Sequence, residues 1–223
     1  KGRHMKAVIP VKASSLRVPN KNFRPFYNRK SLFDLTVEKL LRYLPADDIY
    51  MSCEDPMRES LADKWNINFL LRDKRLTENE TPMTDVVTGV CDMVPGDSDL
   101  MWCQVIDPLF DAYEECLQQW QGLNGKHDSL VVVYPHRSYF LDVNHRPEGF
   151  GFGAWHISSQ CLPQRYQLTF TLSILSRRAV NRTRYYIGEN PYWYEASNIP
   201  IDIDTPEDFE LAQVVYKHFA KKC

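Results

Sequence analysis

Lys6-Ala-Val-Ile-Pro-Val-Lys-Ala-Ser-Ser-Leu-Arg-Val-Pro-Asn-Lys-Asn22 begins as an apolar run and ends as an irregular, cationic loop. Lys6 to Pro10 reads as a buried β-strand, and Ser14, Ser15, Pro19 and Asn20 keep the following residues out of a helix. Lys12, Arg17 and Lys21 sit in that loop, so cationic side chains and inward-turned N–H groups meet at a strand end. Such a loop suits a polyphosphate. A solvated basic loop after the first strand of an α/β domain accounts for the composition equally well.

Working outward, strands are expected at Asp48 to Cys53, Ile67 to Arg72 and Asp99 to Val105. Helices are expected at Leu32 to Tyr43, Pro56 to Trp65 and Thr84 to Met93. This alternation predicts an α/β fold, a mostly parallel twisted sheet flanked by helices in the Rossmann-like manner, with ligands beyond the carboxyl ends of the strands. Lys12, Asp55, Arg72 and Gln104 fall at such ends. Ser129 to Tyr134 is a further strand. Residues 136–163 are rich in aromatic, Gly and Pro residues without helical period, and read as a small β-rich insertion, a dimerisation arm or a lid. Strands Leu168 to Leu175, Tyr192 to Ala196 and Pro200 to Ile203 and a helix Pro206 to Ala220 complete the pattern.

At 223 residues and 43% hydrophobic, the chain can bury one core, a single domain over 5–223. Lys1-Gly-Arg-His4 reads as a cloning leftover ahead of Met5. A net charge of −2 gives no global field for a nucleic-acid polymer or an anionic membrane, which favours small phosphorylated ligands. No apolar run approaches the roughly 20 residues that span a bilayer, so a cytoplasmic protein is expected. The six cysteines form no C-x-x-C pair and read as buried free thiols. The histidines lack metal-ligand spacing.

A second signal is Asn198-Ile-Pro-Ile-Asp-Ile-Asp-Thr-Pro-Glu-Asp208, in which Asp202 and Asp204 lie two apart on an apolar, extended run. Period-2 geometry turns both carboxylates to one face. Side by side they repel unless a cation sits between them, and a hard oxygen site suits Mg2+ on phosphate oxygens. Thr205, with Pro206 next and Asp208 three residues on, reads as the cap of the last helix. Capping does not explain Asp202, whose charge among Ile199, Ile201 and Ile203 needs a partner.

These stretches resemble the motifs of the CMP-sugar-acid synthetases, the cytidylyltransferases that activate sialic acids and their relatives. That family carries IPAR, a short Gly/Ser loop and a P-x-K-N ending; Ile9, Pro10, Ser15, Pro19, Lys21 and Asn22 match it. Lys12 replaces the Arg, Ala13 and Ser14 replace glycines, and Leu16 stands where the sialic-acid enzymes have lysine. Arg17 follows one position later, as in the related Kdo (3-deoxy-octulosonic acid) cytidylyltransferases. Ile201-Asp-Ile-Asp-Thr-Pro-Glu-Asp-Phe-Glu-Leu-Ala212 resembles the family's C-terminal motif almost letter for letter. Ser52 to Asp55, Leu71-Arg72 with Thr84, Gln104 to Leu109 and Leu162 to Tyr166 are similar to intermediate motifs, in the same order.

The resemblance implies transfer of CMP from CTP to a sugar acid, sialic-acid-like or another 2-keto acid, with release of pyrophosphate. It implies Lys12, Arg17 and Lys21 on the triphosphate, Ser15 in the same loop, and Asp202 and Asp204 on Mg2+, with Asp204 also catalytic. Asn22, Arg72 and Thr84 become contacts to base and ribose, Gln104 a contact to the acceptor, and a homodimer is expected through the insertion. Departures gather on the acceptor side: Gln167, Thr169, Phe170, Thr171 and Ser173, Ser159 in place of a carboxylate-gripping arginine, and Asp107 in place of a neutral Ser. Two other readings stand beside this one. Asp202-Ile-Asp204 also fits the D-x-D metal motif of a nucleotide-sugar glycosyltransferase, and a catalytically silent nucleotide-binding protein would keep the same loop.

Overall fold

The computed structural model describes residues 4–15 and 17–220; Leu16, Cys223 and the first three residues of the leading tetrapeptide lie outside them. Nine strands and six α-helices are described. In chain order they are β1 (Met5–Pro10), α1 (Leu32–Leu40), β2 (Ile49–Cys53), α2 (Glu59–Trp65), β3 (Asn68–Leu71), α3 (Met83–Cys91), β4 (Asp99–Cys103) and α4 (Tyr113–Gly122). Then come β5 (Ser129–His136), β6 (Phe140–Leu141), β7 (Pro147–Glu148), β8 (Arg165–Leu175), α5 (Arg177–Thr183), β9 (Pro191–Glu195) and α6 (Pro206–Ala220).

Seven strands form one sheet in the order β3-β2-β1-β4-β8-β5-β9. Neighbours pair in parallel except around β8, which runs antiparallel to both β4 and β5. That exception follows from the insertion. A parallel return needs a crossover, usually helical, and residues 136–163 lack helical period, so the chain folds straight back. β6 and β7 form a separate two-stranded hairpin within it.

Side-chain alternation fills both faces of the sheet. Ala7, Ile9, Met101, Cys103, Leu172 and Ile174 pack toward α1, α2, α4 and α6, whereas Val8, Leu100, Trp102 and Leu175 pack toward α3 and α5. Four of the cysteines, Cys53, Cys91, Cys103 and Cys116, are buried free thiols, while Cys161 in the insertion is exposed.

Three expectations are corrected. Pro200 to Ile203 joins no sheet: Pro200 has no N–H, and Ile203 makes a single backbone bond to the Ile106 carbonyl at 3.3 Å. α4 and α5 occupy stretches where no helix was expected. In α4 Tyr113, Cys116 and Trp120 form a narrow buried stripe among Glu and Gln residues, and α5 has only Ala179 and Val180 to bury, so tertiary packing decides both.

α1 is fixed at its start by a capping box. Ser31 Oγ accepts from the Asp34 N–H, and Asp34 Oδ2 accepts from the Ser31 N–H at 2.9 Å. Asp34 Oδ1 also accepts from Lys64 Nζ and Trp65 Nε1, each at 2.8 Å, and so ties α1 to α2. Burial raises the Asp34 pKa, but bonds from Lys64, Ser31 and Trp65 outweigh it and leave the carboxyl below its ordinary value. Replacing Asp34 by Ala strands those donors in a buried site and is expected to cost about 2 kcal/mol or more in urea denaturation.

Candidate active site

The loop after β1 is held in place by its own sequence. Val11 N–H bonds to the Ser52 carbonyl at 3.0 Å, extending the β1–β2 ladder by one rung. Val18 is fully buried, and Asn20 takes a left-handed conformation (φ 55°) that asparagine tolerates well. Ser15 Oγ accepts from the Val18 N–H at 3.4 Å, a turn contact inside the loop. Asn22 is buried and donates to the Lys12 carbonyl at 3.0 Å, fastening the loop's end to its beginning.

Across from this loop lies the segment between β9 and α6. It leaves the far edge of the sheet at Ala196, touches the loop after β4 where Asn198 Nδ2 reaches Asp107 Oδ2 at 3.3 Å, and arrives at Asp202 and Asp204. Arg17 and Asp204 form an ion pair at 2.8 Å, and Lys21 Nζ donates to the Ile203 carbonyl. Residues nearly two hundred positions apart therefore meet. Burial lowers the Lys21 pKa, Asp204 and Asp202 offset part of that, and Arg17 works with burial. For Asp202, burial and then the Asp204 charge raise the carboxyl above its ordinary value, against the pull of Lys21 and Arg17.

Thr205 and Asp208 form the expected capping box: Asp208 Oδ2 accepts from the Asp204 and Thr205 N–H groups at 3.1 and 2.8 Å, and Thr205 Oγ1 accepts from the Asp208 N–H at 3.2 Å. The cap uses the Asp208 side chain and leaves those of Asp202 and Asp204 out of it. Among the described residues no group of three or more His, Cys, Asp or Glu could hold a metal by itself. Two carboxylates fit a divalent ion that takes its other oxygens from phosphate and water, as Mg2+ does.

The remaining candidates are spread along the same edge of the sheet. Lys12 is exposed and donates to the Thr77 carbonyl at 2.6 Å. Gln104 extends β4, its N–H on the Thr171 carbonyl at 3.0 Å. Thr84 is exposed in the first turn of α3. Arg72 lies under the loop, its side chain 3% exposed, and donates to the Val11 carbonyl at 2.7 Å.

The sequence reading missed three residues with work at this edge. Lys39, on the buried face of α1, donates to the carbonyls of Pro108 and Phe110 at 2.6 and 2.5 Å and shapes the loop after β4. Burial pulls its pKa down to about 8. A lysine seven positions after Leu32 on an apolar stripe was the available signal. Glu54 supports the loop after β1, accepting from the Ala13 N–H at 2.8 Å. Arg137, just beyond β5, donates to the Gln160 carbonyl at 3.0 Å and to Gln164 Oε1 at 3.1 Å, and makes no ion pair among the described residues.

No family model matches the chain. It is 24% identical over 236 residues to the pseudaminic acid cytidylyltransferase of Campylobacter jejuni subsp. jejuni serotype O:2, covering 94% of this chain and 95% of that one. The enzyme of the same name from serotype O:23/36 matches with the same identity and coverage. These relatives support membership in the CMP-sugar-acid synthetase family. Two solved structures show the fold. CMP:2-keto-3-deoxy-manno-octonic acid synthetase complexed with CTP superposes with a TM-score of 0.64 at 12% identity, over 96% of this chain and 99% of that one. The 4-diphosphocytidyl-2C-methyl-D-erythritol synthase from Anaerococcus prevotii superposes with a TM-score of 0.64 at 12% identity, over 97% and 100%.

Asp107, where the family has a neutral residue, is buried and accepts from the Leu109 N–H at 3.0 Å. Burial pushes its pKa up from 3.8 to about 6, against the Leu109 bond and the Lys39 charge. The folded protein therefore keeps a proton that the unfolded chain has already lost, so this group's contribution to stability falls as pH rises from about 4 to about 6 and is level above that. The slope is at most ~1.4 kcal/mol per pH unit. Urea denaturation between pH 4.5 and 7 should show it in the wild type and lack it in Asp107→Asn.

Proposed function

We propose that this chain is a cytidylyltransferase that transfers CMP from CTP to a sugar acid and releases pyrophosphate. The observation that carries the proposal is the meeting of Arg17 and Lys21 with Asp202 and Asp204 at the carboxyl ends of the strands. A glycosyltransferase with a D-x-D motif would hold a diphosphate sugar, and a cationic loop of this density suits a triphosphate better. The relatives named for pseudaminic acid make a 2-keto sugar acid of the sialic-acid class the first acceptor to test.

In this scheme an acceptor hydroxyl oxygen gives up its proton to water and forms a bond to the α-phosphorus, the α–β anhydride bond breaks, and pyrophosphate leaves with its charge neutralised. Little covalent chemistry falls to the protein, so its work is positioning and electrostatic stabilisation. Lys12, Arg17 and Lys21 hold the β- and γ-phosphates and stabilise the leaving group. Asp202 and Asp204 would hold Mg2+, which supplies charge neutralisation and an ordering of phosphate oxygens when bound. In this scheme Asn22, Arg72 and Thr84 would contact the base and ribose, and Gln104 the acceptor.

The acceptor's carboxylate needs a cation on the side of β8, β5 and β9. Arg137 is suited to it, because its present partners are neutral oxygens, whereas Arg165 is already paired with Glu148. Dimerisation through the insertion belongs to the same proposal, since Phe152 and Trp155 there are 63% and 79% exposed.

The test is pyrophosphate release by the purified protein with CTP and Mg2+ over a panel of 2-keto sugar acids, each nucleoside triphosphate being exchanged in turn. Lys21→Ala and Asp204→Ala are each expected to lose at least ~10²-fold in kcat/KM. Wild-type rates in either would rule the assignment out. Arg137→Ala should raise the acceptor's KM about 10-fold while leaving the KM for CTP in place.

A further inference from the structure

Beneath the phosphate loop, β2 and β3 supply a buried ion pair whose carboxylate the transfer scheme leaves without a task. Glu54 follows the last residue of β2 and Arg72 the last of β3, with side chains 8% and 3% exposed. Glu54 Oε1 accepts from the Ala13 N–H at 2.8 Å, and Oε2 lies 3.4 Å from an Arg72 terminal nitrogen. That nitrogen also donates to the Val11 carbonyl at 2.7 Å. One carboxylate–guanidinium unit thus grips the loop backbone on both sides of Lys12, once through a donor and once through an acceptor. The Asn22 amide holds the carbonyl of Lys12 itself.

Both side chains are nearly closed to solvent. Arg72 Nε is buried with no partner, so its terminal nitrogens alone set its orientation. Glu54, from the end of β2, is an acidic side chain that meets the loop backbone, whereas Asp204 meets the loop's cation Arg17.

We propose that Glu54 is a positioning residue: with Arg72 it fixes the backbone from Val11 to Ala13 and so sets where Lys12 and the loop N–H groups meet a polyphosphate. The inference rests on the nucleotidyl-transfer reading of the loop. A buried pair with a purely architectural role would affect stability alone, and the two roles separate experimentally. Removing one partner leaves an uncompensated buried charge and destabilises the fold, whereas removing both relieves that charge. Positioning is lost in either case.

The test is calorimetric binding of inorganic tripolyphosphate, which probes the loop without base or acceptor, together with urea denaturation and CTP kinetics. Glu54→Ala combined with Arg72→Met is expected to be more stable than Glu54→Ala alone, yet to bind tripolyphosphate about 10-fold or more weakly than wild type. Its KM for CTP should rise while the acceptor's KM does not. Glu54→Gln, which keeps an acceptor for Ala13 but drops the charge facing Arg72, should weaken binding about 3-fold or more. A double variant with wild-type affinity overturns the inference; should that variant fail to fold, wild-type affinity in Glu54→Gln does so. A wild-type protein that binds neither tripolyphosphate nor CTP sinks the reading of the loop, and this inference with it.

Discussion

The site depends on charge compensation between two segments that the chain keeps far apart. Arg17 and Lys21 on one short loop repel each other, and Lys21 is partly buried as well, which works against its charged form. Asp204 and Asp202 supply the opposing field, but they too repel, as the raised Asp202 pKa records. Neither cluster is favourable alone. Brought together by a sheet that delivers β1 and the β9–α6 segment to the same edge, each neutralises the other. By the sheet order, the segment that leaves β9 must cross the ends of β5, β8 and β4 before it reaches the loop after β1.

Much of this was legible in the sequence because it rests on local rules. Apolar runs of strand length alternating with amphipathic stretches gave the strands on the β1 side of the sheet and the helices between them, to within a residue or two at most boundaries. Thr205, Pro206 and Asp208 foretold a capping box that the structure contains. The pairing of Asp202 with Asp204 followed from a charged residue set among isoleucines.

What the sequence hid is what depends on tertiary contact. α5 buries two side chains and has no strong pattern, and Pro200 to Ile203 looks apolar enough for a strand, yet it joins no sheet among the described residues and Pro200 has no N–H to offer one. Arg72, which ends a strand and which the family resemblance implies as a nucleotide contact, is also held by the Val11 carbonyl and Glu54, partners that the sequence does not announce. Glu54 lies within the Ser52 to Asp55 stretch, but nothing local singles it out. Its role exists only because β1, β2 and β3 are adjacent, which places a carboxylate under a loop contributed by another strand. Buried polar residues of this kind are the hardest to read forward, since their desolvation cost is met by partners distant in sequence.

The three loop cations are all engaged in this structure, Lys12 with the Thr77 carbonyl, Arg17 with Asp204 and Lys21 with the Ile203 carbonyl. A polyphosphate would therefore exchange partners rather than recruit bare charges. Two of the contacts are to neutral carbonyls, and the third joins side chains 69% and 43% exposed, a setting in which an ion pair contributes only about 0–1 kcal/mol. Such contacts hold long, flexible side chains near their working positions and yield readily to a phosphate oxygen, which accepts more strongly than a carbonyl. The backbone beneath them is fixed by buried contacts of the opposite kind, the Glu54 carboxylate on Ala13 and the Asn22 amide on Lys12. A rigid frame carrying weakly committed charges loses little entropy on binding, so more of the attraction to the phosphates remains as affinity.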